Sequence, residues 1–323
     1  MQQSIIRRVA FDIGSLTTKM IVADVDVNTN SIIKIITKET RKTEYKHDLE
    51  EQGHTNYLSQ SMIEKGIKAL KELKAECALL HPQPQEYAAV ATAALRTAKN
   101  SALLIEQADK ELNIPITIIS QEKEAHLGFY GALIHTGYNK KKSIVWDLGG
   151  GSMQITTENL NGKLFFYGAD MGLTHFTHEV ITDIQKKAHA ESPNPLSPTE
   201  AAAAIAYATK LAKKVPTTIA TKCADQSTEV IGIGAIYYAT HANKNVLTIF
   251  TQNDLLQLLA HKLNKTDQML APETHPAIPV SVSATSLTFI IGFMKQLNID
   301  KMTIVEVNIN DGLLIDSTYY HPQ

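Results

Sequence analysis

The sequence is poor in the features that mark secreted, membrane-bound or nucleic-acid-binding proteins. Its only two cysteines, Cys77 and Cys223, lie far apart without CxxC spacing, which favours buried thiols over a disulfide or a metal site. No apolar run reaches the ~18 residues that a membrane span needs, and the N-terminus lacks the apolar core of a signal peptide. The formal net charge of −2 gives no basic surface for nucleic acid. These absences predict a cytoplasmic protein with no membrane or nucleic-acid partner.

The composition is that of a globular protein large enough for two domains. Hydrophobic residues make up 44% of the 323 residues and charged residues 20%, so each domain can bury a core of its own. Predicted strands at 9–12, 19–25 and 31–38 precede a helix at 58–77, and strands and helices alternate from there on. This alternation indicates an α/β fold. The charged stretch Glu39–Gln52 is predicted to be a solvated loop whose cations could meet an anionic ligand.

The most informative stretch is Asp147-Leu148-Gly149-Gly150-Gly151-Ser152, which separates an apolar run from an alternating one. Glycine has no Cβ, so its backbone can turn sharply and bring N–H groups against a ligand. Successive N–H groups in such a turn form a concave anion site. Taken alone, the stretch is equally consistent with an ordinary hairpin that has a glycine-rich turn.

A second copy of this pattern near the N-terminus favours the anion site. When Asp12 is superposed on Asp147, the glycine and the hydroxyl residue that follow coincide as well: Gly14 with Gly149, and Thr17 with Ser152. A repeat about half a chain apart indicates two similar domains. The arrangement is similar to that of the actin, sugar-kinase and heat-shock-ATPase superfamily. We therefore expect an α/β protein with two related ribonuclease-H-like (actin-like ATPase) domains flanking an interdomain cleft.

The two domains are predicted to be residues 1–125 and 126–323. The segment 310–323 is a candidate to pack back on the first domain. In this arrangement Asp12 and Asp147 would lie on equivalent turns, one in each domain.

Two further motifs make the chain resemble a specific branch of that superfamily, the exopolyphosphatase and guanosine pentaphosphate phosphohydrolase (Ppx/GppA) family in its short two-domain form. The family motif A-T-x-x-L-R-x-A-x-N is matched throughout by Ala91–Asn100. The strand-to-helix step that carries Ile-Ser and then Glu-Ala is matched by Ile119–Ala125. The family's two glycine turns correspond to Asp12–Ser15 and Asp147–Ser152, so the motifs occur in the family order along the whole chain.

The resemblance implies a hydrolase that removes the terminal phosphate of inorganic polyphosphate or of guanosine penta- or tetraphosphate, with Mg²⁺ as cofactor. It implies that Glu124 activates the attacking water and that Arg96 offers its planar fork to phosphate oxygens. It places Mg²⁺ on Asp12 and Asp147, since this ion prefers carboxylates, waters and substrate phosphates. Gly128 and Gly131, one and two turns after Glu124 on its helix, would leave room for the phosphate chain. The implied phosphate-binding residues are Gly14, Ser15, Thr17, Gly149, Gly150, Gly151 and Ser152.

Several positions depart from the family pattern and keep a second hypothesis open. Gln154 stands where the family has a glutamate, and His175 and Asn310 stand where it has arginines. The alternative is a catalytically weakened or inactive member that binds a phosphorylated nucleotide or polyphosphate as a sensor. The near-neutral charge favours a short phosphoanhydride over a long polymer. A homodimer is left open.

Overall fold

The chain divides into two compact units, and each is described by itself. The computed structural model describes residues 4–53, 55–80, 86–159, 161–187, 189–240 and 248–320. Unit 1 consists of Met1–Ile134 and Val307–Gln323, and unit 2 of His135–Glu306. Across these described ranges, none of the helices combines the length and the apolar character that crossing a membrane requires.

Unit 1 is built on a five-stranded sheet with helices formed by the segments between its strands. Its strands are β1 (Ile5–Ile13), β2 (Thr17–Asp26), β3 (Ser31–Lys42), β4 (Glu86–Ala91) and β5 (Ile116–Ile118). The helices before the second unit are α1 (Tyr45–Glu51), α2 (Gln60–Leu80), α3 (Ala93–Thr97), α4 (Ser101–Leu112) and α5 (Gln121–Thr136). The strand order is β3-β2-β1-β4-β5. The first three strands pair antiparallel, and β4 and β5 join parallel to β1.

Unit 2 repeats this sheet and adds one edge strand. Its strands are β6 (Ser143–Leu148), β7 (Met153–Glu158), β8 (Leu164–Ala169), β9 (Glu229–Gly234), β10 (Thr248–Thr251) and β11 (Lys301–Ile304). Its helices are α6 (Leu173–Glu179), α7 (Pro198–Ala212), α8 (Thr217–Cys223), α9 (Ala235–Thr240), α10 (Gln252–Lys262), α11 (Asp267–Leu270) and α12 (Ser283–Gln296). The strand order from the other edge is β8-β7-β6-β9-β11-β10.

The two sheets share one topology. In each, the first strand of the unit pairs antiparallel with the second, the second pairs antiparallel with the third, and the fourth lies parallel to the first. A further parallel strand follows in both, β5 beside β4 and β11 beside β9. This confirms the predicted α/β fold with two related ribonuclease-H-like domains. The cleft between them stays a prediction.

The chain returns to unit 1 in the helix α13 (Ile309–Ile315), which packs on β1 and β2 and comes close to α5 at Gly312. Gly312 lies so close to α5 that a Cβ would overlap the Leu127 backbone, and a Cβ on Gly131 would lie 3.0 Å from the Gly312 nitrogen. The glycine at 131 therefore admits a neighbouring helix, and the predicted role in making room for phosphates is wrong. The predicted boundary after residue 125 would cut α5 in two, whereas unit 1 extends to Ile134 and contains most of that helix.

The prediction of a solvated loop at Glu39–Gln52 is wrong. Strand β3 continues to Lys42, and α1 follows with Tyr45 and Leu49 buried one helical turn apart. Asp48 accepts hydrogen bonds from the backbone amide and the hydroxyl of Ser59, at 2.8 and 2.5 Å. The cations that could have met a ligand lie beside carboxylates of the same unit: Arg41 beside Glu39, Glu72 and Glu76, Lys42 beside Glu44, and Lys46 beside Glu50.

Candidate phosphate-binding and catalytic site

The same backbone hydrogen bond closes the glycine turn of each unit. The Gly14 amide donates to the Thr17 carbonyl oxygen at 3.0 Å, and the Gly149 amide donates to the Ser152 carbonyl oxygen at 2.8 Å. These are the residues that the sequence alignment of the two copies paired. The repeat therefore extends from the sequence to the geometry of the turn.

In unit 1 the carbonyl groups of the turn are bound from behind by the segment that enters α1. The Ser15 carbonyl accepts from the Lys46 amide at 3.1 Å, and the Leu16 carbonyl accepts from the Thr43 and Glu44 amides, both at 3.0 Å. Within the described part of the chain, the amides of Ser15 and Leu16 have no hydrogen-bond acceptor. The peptide groups are thus held with carbonyls engaged and N–H groups available, which is the polarity of an anion site.

In unit 2 the carbonyl groups of the turn are bound by the segment that follows the third strand of that unit, β8. The Gly149 and Gly150 carbonyls accept from the Leu173 and Thr174 amides at 3.1 and 3.0 Å, in the first turn of α6. Gly172 approaches so closely that a Cβ there would overlap the backbone of Gly150. The amides of Gly150 and Gly151 bond to no acceptor among the residues described, so both units present the same pair of available donors.

Asp12 is a buried carboxylate with one unsatisfied oxygen. It is 7% exposed, and its Oδ1 has no hydrogen-bond partner among the described residues. Burial raises the pKa of this carboxyl above its usual range, and Lys19, whose Nζ lies 4.0 Å from Oδ2, opposes that rise. A buried oxygen of this kind is a place for a cation or an ordered water.

The raised pKa of Asp12 gives a pH-dependent prediction. Because the folded-state pKa lies above the unfolded one, the charged form is penalised on folding, and the penalty grows as pH rises through the folded pKa. Asp12→Asn is therefore expected to be more stable than the parent at neutral pH, with the advantage vanishing below ~pH 4. Urea unfolding at a series of pH values measures this. An Asn variant that is less stable at neutral pH would show that Asp12 serves the fold.

Asp147 occupies the equivalent position in unit 2, and a glycine on a neighbouring strand leaves room for its carboxylate. In the β6–β7 pairing Asp147 lies opposite Gln154, as Asp12 lies opposite Lys19 in β1–β2. Gly234, on the parallel neighbour β9, has φ +67, and a Cβ there would overlap Asp147 Oδ1 and lie 2.8 Å from the Leu148 carbonyl oxygen. Only glycine fits this backbone conformation and this distance from the carboxylate.

Gly234→Ala is expected to destabilise unit 2 and displace Asp147. Its matched control is Gly137→Ala, since Gly137 has the same φ of +67 but nothing within 4 Å of its Cβ position. The control should cost only the left-handed strain of about 1–2 kcal/mol. Overlap at Gly234 should add roughly 1–3 kcal/mol. Chemical denaturation of both variants measures the difference, and equal losses would mean that the Asp147 carboxylate moves away freely.

Arg96 and Glu124, separated in sequence, are brought together in unit 1. Arg96 Nη1 donates to the Ile119 carbonyl oxygen at 2.7 Å and to Glu124 Oε2 at 3.2 Å. Nη2 is buried and has no hydrogen-bond partner in the described ranges. No other arginine there has a buried nitrogen without a partner. Arg7, Arg8 and Arg41 each donate to a carboxylate. Arg96 thus has one arm of its fork fixed and the other available for an anion.

Two positions where the family pattern has an arginine carry a histidine and an asparagine in this chain. His175 is exposed and its Nε2 lies 3.5 Å from Glu179 Oε1. Asn310 is fully buried, donates from Nδ2 to the Lys19 carbonyl oxygen at 3.3 Å, and leaves Oδ1 without a partner among the described residues. At positions 175 and 310 this chain therefore has an imidazole and an amide in place of two guanidinium groups.

Asp12 and Asp147, each at the turn of its own unit, are oxygen ligands of the kind that Mg²⁺ prefers. No group of three or more His, Cys, Asp or Glu side chains that could hold a metal occurs among the described residues. Mg²⁺, however, commonly uses one or two carboxylates together with waters and substrate phosphates. The unsatisfied Asp12 Oδ1 suits that mode, and Asp147 offers the equivalent carboxylate.

Sequence reasoning overlooked residues whose role depends on a neighbour. Gly172 and Gly234 are required by the backbone of the second turn and by the Asp147 carboxylate, respectively. The only signal for them was a glycine just before α6 and a glycine ending β9. Lys19 was overlooked because a lysine in a strand resembles a solvated side chain; its place opposite Asp12 depends on the strand register.

Comparison with known proteins agrees with the motifs. The model of the Ppx/GppA phosphatase family matches residues 21–321. A curated relative, the bifunctional 3-dehydroquinate synthase/phosphatase of Fusobacterium nucleatum, is 28% identical over 162 residues, which is 48% of this chain. The chain spans about a quarter of that protein's length, since the match covers 23% of it.

Solved structures share the fold over the whole chain. A Ppx/GppA family member from Aquifex aeolicus is 18% identical with a TM-score of 0.73, covering 97% of this chain and 98% of that one. An exopolyphosphatase from Cytophaga hutchinsonii is 17% identical with a TM-score of 0.75, covering 95% of this chain and 96% of that one. At this identity the likeness establishes the fold alone.

Proposed function

Because the chain belongs to the Ppx/GppA phosphatase family, we propose that it hydrolyses the terminal phosphoanhydride bond of inorganic polyphosphate or of guanosine penta- or tetraphosphate, with Mg²⁺ as cofactor. The observation that carries this proposal is the matched pair of glycine turns. In each, the carbonyls are bound from behind and two successive amides are available. A tetrahedral phosphate group is the ligand that such a pair of donors suits best.

Four charged side chains, those of Asp12, Arg96, Glu124 and Asp147, have the chemistry that phosphoryl transfer to water requires. This reaction depends mostly on positioning and on neutralising charge on the phosphate oxygens. The free Nη2 of Arg96 would bind one phosphate oxygen. Asp12 and Asp147 are the carboxylates that would hold Mg²⁺, whose charge would neutralise further phosphate oxygens. Glu124 accepts the proton of the attacking water.

The pairing of Arg96 with Glu124 gives these two residues a common role. Arg96 Nη1 donates to Glu124 Oε2, so the guanidinium fixes the direction of this carboxylate. A phosphate bound through Nη2 would leave the hydrogen bonds of Nη1 in place. One guanidinium group would then position both the phosphate and the base.

A second candidate function, a sensor that binds but does not hydrolyse, is favoured by one observation. Gln154 puts a neutral amide opposite Asp147, where the family pattern has a carboxylate. If that carboxylate is essential for turnover, the chain retains the turns and Arg96 for binding and loses the reaction.

Phosphate release separates the two candidates. We expect the purified chain to release inorganic phosphate from tripolyphosphate or guanosine pentaphosphate in the presence of Mg²⁺, and not from ATP at a comparable rate. Binding of these compounds without any release would support the sensor. Failure to bind any of them would contradict both candidates.

A further inference from the structure

We propose that Gln154 sets the direction of the Ser152 hydroxyl hydrogen bond, so that the second turn can hold a phosphate group without a metal ion beside it. Gln154 is then a positioning residue that acts through Ser152. The inference rests on the proposed function, because it assumes that the second turn binds phosphate.

The geometry that carries the inference is a single hydrogen bond inside the turn. Gln154 is 1% exposed in β7, and its Nε2 donates to Ser152 Oγ at 3.3 Å. A hydroxyl group has one hydrogen and two lone pairs, so an oxygen that accepts from Gln154 keeps its hydrogen for another acceptor. Ser152 Oγ makes no other hydrogen bond to the described residues. Ser152 therefore adds a third donor beside the amides of Gly150 and Gly151.

A glutamate at position 154 would reverse this polarity. An ionised carboxylate only accepts, so it would take the hydrogen of the Ser152 hydroxyl and leave lone pairs facing the ligand. Lone pairs repel phosphate oxygens unless a cation lies between them. The amide at 154 thus favours direct contact with an anion, and a carboxylate there would favour contact through a metal.

The side chains that face each other across the β6–β7 strand pair also favour direct contact with an anion. Gln154 lies directly opposite Asp147 in the β6–β7 register. Two carboxylates facing each other across a strand pair repel, and a bound cation relieves that repulsion. In unit 1 the residue opposite Asp12 is Lys19. Neither turn therefore carries the pair of facing carboxylates that would make a metal ion necessary for anion binding.

The test is a double-mutant cycle on binding measured without metal. Isothermal titration calorimetry with inorganic tripolyphosphate in EDTA is carried out on the parent, Ser152→Ala, Gln154→Glu and the double variant. In the parent background, Ser152→Ala should weaken binding roughly 10- to 100-fold, the loss expected for a charge-assisted hydrogen bond. In the Gln154→Glu background it should change binding less than about twofold, because the hydroxyl no longer donates to the ligand.

Two further variants serve as controls. Gln257→Glu adds the same charge to an exposed position of α10 and should leave metal-free affinity unchanged. Gln154→Met removes the amide donor without adding charge, so it should weaken metal-free binding even if the glutamate variant folds poorly. Titrating Mg²⁺ should restore affinity in Gln154→Glu far more than in the parent.

The outcomes distinguish this inference from the proposed function. Parent binding that requires Mg²⁺, or equal effects of Ser152→Ala in both backgrounds, would overturn the role of Gln154 and leave the phosphate site intact. Absence of tripolyphosphate binding by the parent, with and without Mg²⁺, would overturn both.

Discussion

Glu124→Gln is expected to lower the rate of Mg²⁺-dependent phosphate release about 10²- to 10⁴-fold, the usual contribution of a general base. The amide oxygen of glutamine can still accept from Arg96 Nη1, which lies 3.2 Å from Glu124 Oε2 in the parent. The variant therefore keeps the shape and the hydrogen bond and loses only the proton acceptor. Ligand affinity should change little, so the loss should appear in kcat and not in KM.

The matched control for this variant is Glu122→Gln, on the exposed side of the same first turn of α5. It removes one negative charge from the same helix end and should leave the rate nearly unchanged. Robust release by the parent that Glu124→Gln leaves intact would mean that another group activates the water. Equal losses in both variants would assign the effect to charge at the helix N-terminus.

Arg96→Ala is expected to weaken tripolyphosphate binding by about 1.5–3 kcal/mol, the value of a hydrogen bond to a charged group. The loss arises from the free Nη2, which is the arm of the guanidinium that the fold leaves for a ligand. Arg96→Lys should recover only part of the lost affinity. An ammonium group lacks the planar fork with which a guanidinium can bind the Ile119 carbonyl, Glu124 and a phosphate at once. Calorimetric titration of the three proteins measures both effects.

The stability of these variants has to be followed alongside binding. Glu124 is 8% exposed, so Arg96→Ala removes a hydrogen-bonded cation from a buried carboxylate and should lower the melting temperature. Arg41→Ala provides the control, because Arg41 lies beside the surface carboxylates of Glu72 and Glu76. Its affinity for tripolyphosphate should equal the parent's. Unchanged affinity in Arg96→Ala would show that Arg96 only holds α3 to α5.

The sequence predicted the parts of the site that depend on local backbone chemistry. The acid, glycine and hydroxyl pattern recurs because each turn needs the same close approach, and the superposition of Gly14 on Gly149 anticipates equivalent hydrogen bonds at 3.0 and 2.8 Å. The shared strand order follows from the same repeat. Local patterns of this kind can be recognised in one sequence, since all the residues concerned are neighbours in the chain.

Features that depend on distant residues could not be predicted in this way. The sequence of α1 is typical of a solvated loop, because the buried face of this helix consists of little more than Tyr45 and Leu49 among charged residues. The need for glycine at 234 arises from a carboxylate on another strand, and the need for glycine at 312 from a helix far earlier in the chain. The pairing of Arg96 with Glu124 likewise depends on where α5 begins relative to α3.

The return of α13 to unit 1 has a consequence for the order in which the protein acquires its structure on the ribosome. Unit 2 is one uninterrupted stretch, His135–Glu306, and all of it is synthesised before the closing segment of unit 1, which begins at Val307. Until then the face of α5 at Leu127 and Gly131 lacks the helix that covers it. Domains generally complete in the order of synthesis. Here the second unit can complete first, and the turn at Asp12 belongs to the unit that is finished last.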